Sequence, residues 1–117
     1  GFVGSLYYGQ VYNSYATGDV SGGKSGGFAG YNGDTIKKSY STGEAKSGFI
    51  AESYDDPEIV ETDVYWNTES SGTSTTSGNA VGLTTSELQG ETASSNLTGF
   101  DFDTVWKTTD TYPKLQK

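Results

Sequence analysis

The sequence predicts an all-β chain: a right-handed parallel β-helix, or β-solenoid, of about three coils, with a small C-terminal cap that contains a short helix. Three observations lead there. The first is a repeat. Val11 and Ile36, Tyr15 and Tyr40, and Gly18 and Gly43 are each 25 residues apart, and Tyr40 to Tyr65 is 25 again. The second is composition. Leu, Ile, Val and Phe make up only 20 of 117 residues, and the net charge is −8, a pairing typical of disorder. Nine Tyr and 17 Gly argue instead for an ordered chain built without a large aliphatic core. The third is local pattern. The apolar pieces are short, alternating and broken by Gly, which favours strands over helices.

The first unit carries Gly1-Phe2-Val3-Gly4 and then Val11-Tyr12-Asn13-Ser14-Tyr15-Ala16-Thr17-Gly18. The second carries Gly27-Phe28-Ala29-Gly30-Tyr31-Asn32 and then Ile36-Lys37-Lys38-Ser39-Tyr40-Ser41-Thr42-Gly43. A degraded third begins at Gly48-Phe49-Ile50-Ala51 and ends at Val64-Tyr65-Trp66. One such unit cannot bury its own apolar side, but stacked units can, strand on equivalent strand at roughly 4.8 Å. Glycines suit the corners, where a positive φ or close backbone approach is needed. The register places Phe2, Phe28 and Phe49 in an interior column. It places Tyr15, Tyr40 and Tyr65 in another, whose face the sequence leaves open. The repeat region spans 1–67, and a polar loop and cap span 68–117.

At these residues the chain resembles the GLUG repeat family. Gly26-Gly27-Phe28-Ala29-Gly30-Tyr31-Asn32 and Asn13-Ser14-Tyr15-Ala16-Thr17-Gly18 carry the likeness. Val64-Tyr65-Trp66-Asn67, Gly82-Leu83-Thr84-Thr85-Ser86-Glu87-Leu88 and the stretch from Phe100 to Trp106 resemble the segments that close such arrays. The resemblance implies a secreted or cell-surface bacterial protein of adhesin-like type. It supplies no catalytic residue.

A stack of strands needs a closed end. Residues 68–80 read as a polar low-complexity loop. Thr84 and Glu87 form a helix-start signature, predicting a helix over about 85–90 that stops at Gly90. Phe100, Phe102, Val105 and Trp106 form the apolar cluster expected to close the last coil. Pro113 marks an edge position. Asn96-Leu97-Thr98 fits a glycosylation sequon.

Several chemistries drop out. The chain has no Cys, His or Arg. That removes thiol and imidazole catalysis and thiolate metal sites. An acidic chain without Arg makes a poor nucleic-acid partner. No apolar run is long enough to span a membrane, and the first residues do not read as a signal peptide. Gly18-x4-Gly23-Lys24-Ser25 fits a phosphate-loop pattern, but Gly26-Gly27 follows where a helix is required, so it reads as a turn. Asp55, Asp56 and Glu58 read as a solvated loop, with calcium as the alternative. Asp101 and Asp103 read as surface charges. The column Thr17, Thr42 and Asn67 is too sparse to bind ice.

The expected function is therefore a non-catalytic structural or adhesive module, extracellular or at the cell surface, with no cofactor and no metal site. The alternative is a carbohydrate-binding module or a fragment of a sugar-active β-helix enzyme. Aromatic rings pack on sugar CH faces, which makes Tyr12, Tyr31, Tyr65 and Trp66 the candidate ligand-binding residues. Expected partners are a glycan or a host or cell-surface protein, and neighbouring repeats or a second copy. The sequence starts in mid-pattern at Gly1, which predicts earlier repeats over that edge and self-association of an isolated fragment.

Overall fold

The computed structural model describes residues 1–53 and 59–116. Three strands, β1 (Val3–Leu6), β4 (Ala29–Asn32) and β6 (Ile50–Ser53), form one parallel sheet in the order β1-β4-β6. A second parallel sheet runs β2 (Gln10–Tyr12), β5 (Thr35–Ser41), β7 (Val60–Asn67) and β8 (Val81–Leu83), with β3 (Tyr15–Ala16) also paired to β5. The 25-residue spacing is the pairing register: Val11 lies beside Ile36, and Tyr15 beside Tyr40 and Tyr40 beside Tyr65.

The expected right-handed parallel β-helix of about three coils, and the all-β class, do not hold. The strands are only two to eight residues long and fall into separate short sheets. Two α-helices, α1 (Thr85–Leu88) and α2 (Ala93–Asn96), flank a 3-10 turn at Gly90–Thr92. A third sheet, β9 (Trp106–Lys107) with β10 (Lys114–Leu115), is antiparallel. The architecture is a mixed one, with parallel sheets and small helices. The physical reasons lie in the chain. Glycine corners cut the strands short. After β7 the sequence supplies a capped helix start at Thr84 and apolar side chains that form a layer of their own.

Two cores result. Between the parallel sheets, Phe28, Ala29, Phe49 and Ile50 meet Ile36, Val64 and Trp66. The Phe column is present, with ring centroids 4.9 Å apart for Phe2 and Phe28 and 4.7 Å for Phe28 and Phe49. Phe2 ends the column and is half exposed. On the other side of β5 and β7, Tyr40 and Tyr65 pack under Leu88, Ala93, Leu97, Phe100 and Trp106. That layer gives the Tyr column its face: it lies beneath the C-terminal segment.

Polar groups inside are matched. Asn67 is fully buried. Its amide nitrogen donates to Thr85 Oγ1 and Tyr112 Oη, and its oxygen accepts from the Glu69 and Ser70 amides. Among the described residues no buried side-chain nitrogen or oxygen lacks a partner, as an interior of low dielectric requires. Helix α1 has the expected capping box: the Glu87 amide donates to Thr84 Oγ1, and the Thr84 amide to Glu87 Oε1. The Thr84 amide and the Thr84 hydroxyl, which both donate to Glu87 Oε1, hold the Glu87 carboxyl below its ordinary range. The helix ends at Leu88, two residues short of the expected limit, because Gln89 is already extended.

Candidate functional site

The four aromatic candidates do not come together. Trp66 is buried between the parallel sheets, and its indole N–H donates to the Thr73 carbonyl. Tyr65, the preceding residue, points to the opposite core and donates to the Thr98 carbonyl. Neither ring presents a face to solvent. Tyr12 is exposed on β2 and donates to Gln10. Tyr31 lies on β4 in the other sheet, with its ring 5.3 Å from that of Tyr7.

The carboxylate candidates are equally dispersed. Asp101 is a turn cap: its carboxylate accepts from the Thr104 hydroxyl and from the amides of Thr104 and Asp103. Those bonds, the Thr104 hydroxyl foremost, hold it below the usual carboxylate range. Asp103 is exposed. Asp55, Asp56 and Glu58 lie outside the described residues. Among the described residues, no three carboxylates converge to hold a metal ion. The phosphate-loop match at Gly18–Ser25 is irregular backbone with Gly22 at φ +127°, and it leads into β4 without a helix.

A different group of residues forms a groove. Tyr15 is the outermost ring of its column, stacked on Tyr40 at 5.3 Å and 6°. Trp106 supports both from the side, at 5.9 and 5.8 Å. Tyr15 lines two adjoining cavities. One, of about 600 Å³, is lined by Tyr15, Lys107, Lys114, Leu115 and Gln116. The other, of about 320 Å³, shares Tyr15 and Lys114 and adds Thr17, Tyr40, Thr111, Tyr112 and Pro113. The buried Tyr40 hydroxyl donates to the Pro113 carbonyl and fixes the tail against the column. Gln116 closes the ribbon by donating to the Trp106 carbonyl at 2.6 Å.

The electrostatics of this groove are unusual for the chain. Lys107 and Lys114 face each other directly across the antiparallel pair β9–β10. Only 7 lysines stand against 15 acidic residues overall, yet no carboxylate lines either cavity among the described residues. Two other cavities do mix signs, one with Asp19 and Lys24 and one with Glu44 and Lys46. Sequence reasoning reached Tyr15 through its column but missed the lysines. The available signal was two of seven lysines placed seven residues apart around a Pro-containing turn.

The outer wall of the groove, through Tyr15 and Thr17, belongs to the β1–β3 segment. Residues 1–21, which hold that segment, match the GLUG motif. The match supports assignment to the GLUG-repeat family, as the resemblance implied. GLUG motifs occur in extracellular bacterial proteins. No helix of the described residues is long and apolar enough to cross a membrane. No curated protein and no solved structure matches the chain.

Proposed function

We propose that this GLUG-repeat chain is a non-catalytic structural and adhesive module of a secreted or cell-surface bacterial protein. The observation that supports it is the shared 25-residue register of β2–β3, β5 and β7. Residues at equivalent positions are used to stack on one another. The Phe and Tyr columns serve packing, and parallel ladders link successive units. Such an arrangement resists unfolding while presenting its edges and loops outward. Its partners are a surface glycan or protein, or further repeats of its own kind.

Beads coated with the chain are expected to adhere to bacterial or epithelial cell layers well above albumin-coated beads. Adhesion no higher than albumin overturns the adhesive role. Release of reducing ends from a polysaccharide panel would overturn the non-catalytic one.

One observation favours a second reading, an accessory carbohydrate-binding role. The Tyr15 ring ends its stack on Tyr40 and lines both cavities, with Thr17, Thr111 and Gln116 nearby. A ring face flanked by hydroxyl and amide groups suits a sugar, which has an apolar face and polar edges. Binding of any oligosaccharide in a glycan array tests it.

A further inference from the structure

We infer that the groove beside Tyr15 takes an acidic saccharide, with the sugar ring on the Tyr15 face and its anionic group between Lys107 and Lys114. The inference rests on the carbohydrate reading and adds the charge of the ligand. Like charges directly opposite across an antiparallel pair repel each other. In a protein of net charge −8, such a pair is ordinarily relieved by a nearby carboxylate. Here both lysine side chains are without an ion-pair partner among the described residues, and the sole ion pair there is Lys24 with Glu52. An anion bridging the two ammonium groups removes the repulsion and gains a charge-assisted hydrogen bond from each.

The neighbouring groups decide what carries the anion. Tyr15 offers a flat ring at the end of a stack. Thr17 and Thr111 place hydroxyls along the same cavity. A bare inorganic anion would use the lysines and leave the ring unused. A fatty or purely aromatic acid would use the ring and leave the hydroxyls unused. A sugar bearing a carboxylate or a sulfate uses all three. The combined volume of the two cavities accommodates one to two sugar rings, a size typical of small-ligand sites.

The test is calorimetric titration of the intact chain with an oligouronate, a sulfated oligosaccharide, a neutral oligosaccharide of equal length and inorganic sulfate. Binding of either acidic sugar at least tenfold tighter than the neutral one and than sulfate is the expected result, and the tighter arm identifies carboxylate or sulfate as the anion. The double variant Lys107→Gln/Lys114→Gln should lose at least tenfold in affinity, while Lys46→Gln, which also removes a positive charge, should lose less than twofold. Both lysines of the groove are exposed, so folding is expected to survive, and a circular dichroism melt checks it. Equal binding of neutral and acidic sugars overturns the acidic specificity and leaves the carbohydrate reading standing. No binding of any sugar at millimolar concentration overturns both. Unchanged affinity in the double variant overturns the assigned position.

Discussion

The side-chain amide of Asn67 donates to the phenol oxygen of Tyr112 at 2.7 Å, joining the end of β7 to a tail 45 residues later. The same amide nitrogen reaches Thr85, and the oxygen holds the turn after β7. Asn67 is therefore the point at which the parallel sheet, the first helix and the tail meet. Asn67→Leu leaves the Glu69 and Ser70 amides without their acceptor. The expected cost is about 1–3 kcal/mol in urea unfolding, because the hydrogen bonds of a buried amide to Thr85, Tyr112 and the turn are lost together. A loss under 0.5 kcal/mol would show that the junction rests on packing alone.

Gly18 and Gly43 hold the same place in the repeat but not in space. A Cβ on Gly43 would lie 1.9 Å from the Gly18 carbonyl oxygen, whereas a Cβ on Gly18 meets nothing closer than 3.8 Å. Gly43→Ala must push apart two stacked turns, so about 1–3 kcal/mol of stability is expected to go. Gly18→Ala is expected to change stability by less than about 0.5 kcal/mol. Equal effects from the two variants would contradict the stacking.

A left-handed backbone recurs at the same register, with φ of 51° at Asn13, 54° at Lys38 and 55° at Asp63. Asn and Asp tolerate this conformation better than other side chains. Lys38 is the exception. Lys38→Asn is expected to raise stability by a few tenths of a kcal/mol to about 1 kcal/mol, measured as a higher denaturation midpoint at unchanged slope. A lower midpoint would mean that the lysine makes a compensating interaction, with Asp101, whose charge it favours, as the candidate.

Burial, reinforced by the neighbouring Tyr15 and Tyr112, pushes the Tyr40 hydroxyl well above its ordinary value of 10.0. Burial also raises Tyr65. The native state therefore keeps the Tyr40 proton at pH values where the unfolded chain has lost it. Stability from this source is complete below pH 10 and falls as pH rises beyond it, by up to about 1.4 kcal/mol per pH unit for Tyr40. Tyr40→Phe loses the bond to Pro113, costing about 1 kcal/mol at pH 8, but its stability should decline less steeply from pH 10 to 11. Parallel decline of the two proteins would refute the assignment.

The register was readable because parallel ladders pair equivalent positions, so Tyr15, Tyr40 and Tyr65 align whichever way they face. The capping box was readable because Thr84 and Glu87 act on local backbone. The face of the Tyr column was not readable, because β5 and β7 are covered on both sides. Alternation separates an inside from an outside only when one side meets water. For the same reason Tyr65 and Trp66 read as exposed candidates although each fills a different core. Helix α2 is Ala-Ser-Ser-Asn, too short to carry periodicity. The groove was hidden because Tyr15 and Lys114 meet only through tertiary packing.

The two ends of the parallel sheets are unequal. At one, residues 75–77 lie against Gly48 and Ile50, with an antiparallel contact between Ile50 and Ser77, and the three-residue β8 follows β7. At the other, β1, β2 and β3 each pair on one side only. Head-to-tail addition of copies would meet only the three-residue edge β8 there, against the longer edge of β1, β2 and β3 at the other end. Two identical open edges can meet only by a two-fold rotation, which sets their strands antiparallel and closes the pair. Association of this chain with itself is then expected to stop at a dimer, with sedimentation showing no larger species as concentration rises. That one exposed edge gives this chain a valency of one toward copies of itself, and growing filaments by sedimentation would contradict it.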